Sequence, residues 1–144
     1  MSWQKEIDEL IKRKKLAHEL GGKEKVERQH KANRNTIRER INLFFDKESF
    51  QEFGMLSGQS TYKETGELEN FLPANSIIGH GLVNQQSIAF YGDDFTVRGG
   101  ASDASIWEKL VAAEKLANEY EIPLVRFIEG TGGGGSVKSL ENQG

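Results

Sequence analysis

The chain has 144 residues, no cysteine, a formal net charge of −3, and a hydrophobic content of 36%. That length allows one domain with a modest core, and the lack of cysteine excludes a disulfide framework, a thiol nucleophile and thiolate metal sites. His18, His30 and His80 lie too far apart in sequence to predict a metal site, and the absence of a long apolar run or signal peptide predicts a cytoplasmic protein.

Positive charge is concentrated in the first third of the chain. Residues 1–48 carry thirteen Lys and Arg against nine Asp and Glu, whereas the remainder carries six against thirteen. The basic runs KRKK and RNTIRER have the charge to contact phosphates, but acidic residues are interleaved with them and stacking aromatic residues are missing. We therefore favour solvated amphipathic helices, and we expect neither nucleic acid nor a membrane as a partner.

The first predicted helix covers residues 3–20. Its apolar side chains recur at steps of three and four residues, and a glycine pair at positions 21–22 ends the pattern. This stripe has no partner within its own segment, so we expect it to pack against a surface outside itself, such as another subunit. The stripe residues expected to be buried there are Ile7, Leu10 and Ile11.

A polar linker, residues 23–35, and a short second helix are predicted next. The helix spans TIRERINLFF, because Thr36 caps its N-terminus and Glu39 completes a capping box three residues later. A turn then leads into the short strand SFQEF. We predict that residues 1–48 form an N-terminal helical extension and that residues 49–144 form the first part of a separate domain.

The remainder of the chain predicts strands, a loop and one long helix. Residues 54–72 are rich in glycine, serine and charge and predict a loop. Two strand-like runs, IIGHGLV and SIAFYGDDF, flank the polar residues 84–86 and predict a β-hairpin, which ends at the sequence Arg-Gly-Gly of positions 98–100. Helical spacing over residues 103–120 predicts a helix of about five turns, and PLVRFI predicts a strand after it. This order is typical of parallel α/β layers.

Both glycine clusters follow a predicted strand. The second, EGTGGGGSVKS, contains four consecutive glycines, Gly132 to Gly135. Because glycine loses the most conformational freedom on folding, such a run indicates either a flexible tether or a place that needs bare backbone. Two such loops side by side would aim main-chain N–H groups at an oxygen that becomes negative, as in an oxyanion hole. A phosphate site is the competing function, although the spacings of the P-loop and of the Rossmann turn are missing.

Three segments, RERI…LFFD…SF…E, DFTVxGG, and the acid and glycine-rich turn after the next strand, stand in a characteristic order. Together they resemble the carboxyltransferase (β) subunits of biotin-dependent acyl-CoA carboxylases of the propionyl-CoA, methylcrotonyl-CoA or acetyl-CoA type. The resemblance runs from about residue 38 to the end of the chain. It implies an α/β crotonase-like fold, a spiral of stacked ββα units, which is incomplete in this chain.

The resemblance also implies a reaction and a set of site residues. A carboxyl group passes from carboxybiotin to an acyl-CoA, and backbone amides hold the charge of the intermediate enolate. The residues that the resemblance assigns to the oxyanion loops are Gly99, Gly100, Ala101, Gly132 and Gly133. The residues that it places near the cofactor are Arg98 and Gly134. For Arg98, contact with a CoA phosphate and an ion pair with a nearby carboxylate stay equally open.

Partners follow from the same resemblance. Acyl-CoA is the implied substrate, and biotin is the implied cofactor, carried by a biotin carboxylase or biotin carrier subunit, with no metal in this chain. The family further implies a homo-oligomer. An acyl-CoA decarboxylase that runs the transfer in reverse and a non-catalytic assembly module stay as alternatives. Since such subunits have two homologous domains, we expect the 144 residues alone to be inactive.

Overall fold

The structure, a computed structural model, describes residues 3–101 and 106–130. The helices in these ranges are α1 (Gln4–His18), α2 (Lys23–Lys31), α3 (Ile37–Phe44) and α4 (Trp107–Glu119). The strands are β1 (Gln51–Phe53), β2 (Gly58–Tyr62), β3 (Leu68–Pro73), β4 (Ser76–Val83), β5 (Gln86–Asp93) and β6 (Leu124–Phe127). The predicted start of the long helix at residue 103 lies outside the described residues, as do residues 131–144.

The main sheet has the strand order β1-β4-β5-β6. Strand β4 pairs antiparallel with β1 and with β5, which confirms the predicted hairpin, and its two-residue turn is Asn84-Gln85. Strand β6 pairs with β5 in parallel, so the chain between them crosses over through α4. A parallel pair requires such a crossover, so the predicted parallel strand-helix-strand unit is present as β5-α4-β6, within a sheet whose other two strand pairs are antiparallel.

Helices cover both faces of this sheet. On one face, α3 and Leu20, which follows α1, pack over Ile77, Ile88 and the fully buried Phe90. Residues adjacent along a strand point to opposite faces, so Ile78 and Tyr91 instead pack against α4. The N-terminal helices and the sheet therefore share one core, although the domain boundary at residue 48 stays a prediction.

Four phenylalanine rings surround Phe90 and bring distant segments together. Phe44 and Phe45 at the end of α3, Phe50 before β1, and Phe127 in β6 all lie within 6.3 Å of the Phe90 ring, measured between centroids. Three of these four contacts are edge-to-face, the arrangement that the ring quadrupoles favour. The aromatic cluster thus fixes α3 against the strands that lead to both glycine loops.

Two local predictions for the N-terminal segment have different outcomes. The capping box of α3 is confirmed, because the Glu39 carboxylate accepts from the Thr36 N–H at 2.7 Å and the Thr36 hydroxyl accepts from the Glu39 N–H. The linker predicted over residues 23–35 is wrong, since Lys23–Lys31 forms α2. Its sequence has one apolar residue, Val26, which packs beside the core. The helix is therefore stabilised by tertiary contact, although its sequence has no apolar periodicity that would predict it.

The loop predicted over residues 54–72 is also wrong. Strands β2 and β3 form a two-stranded antiparallel sheet, and α1 packs against β3. Leu68 and Phe71 of β3 are buried, while β2 is polar and half-buried only at its centre. Alternation is interrupted where the register shifts between Thr61 and Tyr62, which hides the strand pattern in the sequence.

Within the part of the chain that the structure describes, the apolar stripe of helix α1 stays exposed. The exposed fractions are 47% for Ile7, 39% for Leu10 and 60% for Ile11. The partner surface expected for these residues stays a prediction. Among the described helices, none combines the length and the apolar character needed to cross a bilayer.

Candidate functional site

The first glycine loop follows β5 and is a tight left-handed turn. Arg98, Gly99 and Gly100 have φ values of 50°, 64° and 63°. The Gly100 N–H donates to the Val97 carbonyl at 3.1 Å, and the Ala101 N–H donates to the Arg98 carbonyl at 3.2 Å. Two of the amides predicted for the oxyanion hole therefore have internal acceptors in this structure, and their role toward a ligand stays a prediction.

The start of the second glycine loop lies directly against the first. A Cβ atom added to Gly100 would lie 2.3 Å from the Glu129 carbonyl oxygen and 3.2 Å from the Gly130 Cα. No side chain fits in that space, so glycine at position 100 permits the two main chains to touch. The predicted site residues Gly132, Gly133 and Gly134 lie outside the described residues.

Buried polar side chains hold the first loop. Asn75, at the start of β4, donates through Nδ2 to the Ala101 carbonyl at 2.7 Å. Asp94 accepts at Oδ1 from the N–H and the hydroxyl of Thr96, at 2.9 and 2.6 Å. Burial raises the pKa of the Asp94 carboxyl, against the lowering effect of these Thr96 bonds. The loop is thus fixed at both ends by residues that end or begin neighbouring strands.

Helix α4 is anchored beside the same strand. The Lys109 ammonium, in its first turn, donates to the Ser76 carbonyl, one residue after Asn75. Lys109 is only 5% exposed, and burial lowers its pKa to about 8. This bond ties the start of the helix to the strand that holds Ala101.

Glu129 connects the second loop to the N-terminal helices. Its carboxylate lies 2.7 Å from Nη2 of Arg40 and 3.7 Å from Nη1 of Arg34, and accepts from Nε2 of the buried Gln29 at 3.1 Å. Its main-chain N–H donates to Oδ2 of Asp93 at 3.0 Å. A single residue at the start of EGTGGGG is therefore bound by α2, by α3 and its preceding segment, and by β5.

A cation-rich cavity of about 530 Å³ opens beside the first loop. Four of the lining side chains are cationic, and the described lining includes no acidic side chain. The guanidinium of Arg34 lies 5.6 Å from the centroid of the Phe95 ring, which forms part of the same wall. The lining residues are Lys25, Arg28, Gln29, Ala32, Arg34, Phe95, Thr96, Arg98 and Gly99. This charge and size suit the phosphates of a nucleotide-like ligand.

A second cavity of about 540 Å³ lies between α3 and β1, away from the glycine loops. Its lining mixes Arg38, Lys47 and His18 with the carboxylates of Asp46, Glu48 and Glu52. Arg38 is already paired with Glu52 at 2.8 Å. Because this lining carries three carboxylates against the two cations Arg38 and Lys47 and touches neither loop, we place the candidate site at the cation-rich cavity.

The sequence analysis identified the loop residues and Arg98 but missed the residues that support them. Arg34 and Arg40 belong to the basic run RNTIRER, which was assigned to a solvated helix face, and Gln29 fell in the predicted linker. Their partner Glu129 lies about a hundred residues away in sequence, with Gln29 separated from it by 100 positions. The one available signal was that the run contains three arginines and only one acidic residue, Glu39.

Comparisons with known proteins find similar chains by sequence. Residues 28–144 match the family model described as carboxyl transferase domain. The chain is 32% identical over 133 residues to the carboxyltransferase subunit of propionyl-CoA carboxylase from Haloferax mediterranei, which covers 92% of this chain and 26% of that protein. It is 31% identical over 122 residues to the α subunit of methylmalonyl-CoA decarboxylase from Propionigenium modestum, covering 84% of this chain and 23% of that protein.

The fold is also found among solved structures. The transcarboxylase 12S hexamer with methylmalonyl-CoA bound aligns with a TM-score of 0.76 and 24% identity, over 99% of this chain and 28% of that one. The predicted crotonase-like α/β fold is confirmed. The chain spans about a quarter of the length of the curated relatives that it matches.

Proposed function

The chain belongs to the carboxyl transferase domain family, and we propose that it forms part of a biotin-dependent acyl-CoA carboxyltransferase. The observation that carries the proposal is the contact of two glycine loops, through Gly100 and Glu129, beside a cavity lined by four cations. The loops offer main-chain donors for an oxyanion, and the cavity offers charge for the phosphates of coenzyme A.

The cavity binds the phosphates in this proposal. Lys25, Arg28, Arg34 and Arg98 line it, and arginine guanidinium groups suit phosphate because they donate two parallel hydrogen bonds. Gly99 also lines the cavity, so a phosphate held there lies beside the first loop, and the pantetheine arm of the substrate would have to return the thioester to the oxyanion donors. Of the two roles that the sequence left open for Arg98, its place in the cavity favours contact with a CoA phosphate.

The glycine loops hold negative charge. When the acyl-CoA loses its α-proton, the electron pair of the C–H bond delocalises onto the thioester oxygen, and this enolate then forms a C–C bond to CO₂. Main-chain N–H groups that are fixed before the reaction stabilise such an oxygen without reorganisation. We propose donors from the loop residues Gly99, Gly100, Ala101, Gly132 and Gly133.

Biotin and the partner subunits complete the proposal. Carboxybiotin would supply the carboxyl group and the base for the α-proton, and Gly134 is the residue that we propose to lie near it. The described residues contain no feature that recognises the biotin ring, so its support is the biotin-dependent relatives, such as the acetyl-/propionyl-coenzyme A carboxylase β5 subunit of Mycobacterium tuberculosis. A biotin carboxylase or carrier partner, a homo-oligomer and a cytoplasmic location are proposals of the same kind.

A decarboxylase is the second candidate. The similarity to a methylmalonyl-CoA decarboxylase subunit is nearly as high as that to the carboxylase subunit, at 31% against 32% identity. Both reactions pass through the same enolate and need the same oxyanion donors. The direction of carboxyl transfer in the assembled enzyme distinguishes them.

Calorimetric titration of the 144-residue chain with propionyl-CoA tests the proposed site. We expect binding that weakens as salt is raised, and that weakens about tenfold in Arg28→Gln, since a phosphate loses one charged contact. Arg126→Gln serves as the matched control, because Arg126 pairs with Glu114 away from the cavity. Equal binding by parent and Arg28→Gln, or binding that ignores salt, would reject the cavity as the phosphate site.

A further inference from the structure

We propose that Glu129 is a positioning residue with two opposed effects. It keeps the two glycine loops in contact, and its carboxylate competes for Arg34, which lines the cation-rich cavity, so that its charge weakens binding of the substrate phosphates. The inference rests on the proposed function, which identifies the anion as a phosphate of coenzyme A. Glu129 takes no part in the reaction, but its charge sets both the affinity for this phosphate and the position of the loops.

Three separate contacts fix the position of Glu129. Its N–H donates to Asp93 at the end of β5, and its carbonyl oxygen faces Gly100. Its carboxylate, with a side chain that is 17% exposed, lies 2.7 Å from Arg40. A charged bond in a partly buried setting is stronger than its exposed counterpart, and removing one partner leaves the other charge without compensation. The carboxylate therefore helps to hold the main chain of residue 129 against the first loop.

Arg34 is the residue shared between Glu129 and the cavity. Its guanidinium is 3.7 Å from the Glu129 carboxylate, a longer separation than that of Arg40, and its side chain is half exposed. Arg34 lines the cavity, with its guanidinium over the Phe95 ring, whereas Arg40 does not line it. The two arginines thus have different roles. Arg40 holds the Glu129 carboxylate and does not line the cavity, whereas Arg34 contacts the carboxylate and also lines the cavity.

Competition follows from this arrangement. A phosphate in the cavity and the Glu129 carboxylate are both anions near the same guanidinium, so each weakens the attraction of Arg34 for the other. Removing the charge of Glu129 should therefore strengthen phosphate binding while it loosens the contact between the loops. A residue with a purely structural role would weaken both when it is lost, so the opposite signs identify the proposed role.

The test uses the full chain with coenzyme A as the probe and three variants, Glu129→Gln, Arg40→Gln and Glu114→Gln. For Glu129→Gln we expect coenzyme A to bind about fivefold more tightly, with a steeper dependence on salt. We also expect the Gly100 and Ala101 amides to exchange with deuterium about tenfold faster, as measured by nuclear magnetic resonance. Arg40→Gln should accelerate the same exchange without tightening binding. Glu114→Gln, which removes an equal charge from the ion pair with Arg126, should change neither.

Weaker or unchanged binding by Glu129→Gln, with parent binding intact, would overturn the competition. Unchanged amide exchange in both Glu129→Gln and Arg40→Gln would overturn the positioning role. If coenzyme A binds to neither the parent nor Glu129→Gln, the cavity is not a phosphate site in this chain, and the phosphate-binding part of the proposed function and the competition are rejected together. In that case the exchange rates alone still decide whether Glu129 holds the loop.

Discussion

Two turns of this chain have consecutive residues in the left-handed region, but one contacts a side chain and the other contacts a second main-chain segment. The Asn84-Gln85 turn between β4 and β5 has φ values of 49° and 66° and contains no glycine, and both residues are exposed. The turn at residues 98–100 has nearly the same φ values but includes two glycines, and Gly100 is buried.

The difference lies in what touches each turn. The hairpin turn is held by one side chain, Asp46, whose two carboxylate oxygens accept from the Asn84 and Gln85 N–H groups at 3.0 and 2.8 Å. The glycine turn instead lies against the main chain of Glu129, with no room for a Cβ atom at Gly100. Left-handed geometry alone therefore does not demand glycine here, whereas contact between two main chains does.

Gly100→Ala is expected to have the largest effect. The added methyl group meets the Glu129 carbonyl oxygen, and together with the positive φ this should lower the free energy of unfolding by about 4 kcal/mol. Gly66→Ala is the matched control, because Gly66 has a φ of 82° and open space around its Cα. Urea unfolding of both variants measures the difference, and equal losses would show that the contact between the loops does not require glycine.

Lys109, which is bonded to the strand beside the glycine turn, predicts that the free energy of unfolding depends on pH. Burial lowers its pKa from 10.5 to about 8, so between these values the unfolded chain binds the additional proton and the free energy of unfolding rises with pH. The steepest slope from this group is about 1.4 kcal/mol per pH unit. Unfolding measured from pH 7 to 10 in the parent and in Lys109→Met tests this, and a variant that retains the full slope would contradict it.

Asp46→Ala should weaken the hairpin turn and leave the glycine turn intact. Two main-chain N–H groups lose their acceptor, but both lie at the surface, where water replaces it, so we expect a loss of about 1.5 kcal/mol. Asp46→Asn keeps one acceptor oxygen and should lose less. Amide exchange at Gly100 reports on the other turn, and faster exchange there would mean that the two turns are coupled.

Gln85→Gly should have the smallest effect, and the opposite sign. Glycine tolerates the φ of 66° at this position, but it gives the unfolded chain more conformational entropy to lose on folding, so a net gain of about 0.5 kcal/mol is expected. A melting temperature raised by a few degrees would agree with this. A lowered one would show that the Gln85 side chain supports the turn by a contact of its own.

The parts of the fold that the sequence predicts are those with local causes. Thr36 and Glu39 cap each other within one turn, and the β4–β5 hairpin joins two runs through two residues. Helix α2 and strands β2 and β3 have no strong period of their own, because Val26 is the one apolar residue in α2 and β2 is polar. These elements form because α1 and the core give them a surface to pack on, which single-sequence patterns do not record.

In the candidate site too, the residues of a local motif are predictable from the sequence, whereas the partners that lie far away in sequence are not. Arg98, Gly99 and Gly100 stand in a recognisable motif, so the sequence identifies the loop that follows β5. The support from Asn75 comes from a neighbouring strand, and the partners of Glu129 come from helices near the other end of the chain. Such pairs depend on how the elements pack, and without that packing an arginine in a basic helix is indistinguishable from a solvated one.

The bond between Gln29 and Glu129 joins residues 100 positions apart, and this separation has a consequence for folding order. Contacts between distant residues require the closure of a long loop, so they form late, after the helices and the hairpin that local contacts stabilise. During synthesis, the cations of α2 and α3 emerge long before their acidic partner. We therefore expect the contacts of Glu129 to form after the helices and the hairpin, and in a nascent chain Arg34 and Arg40 lack this carboxylate until residue 129 is made.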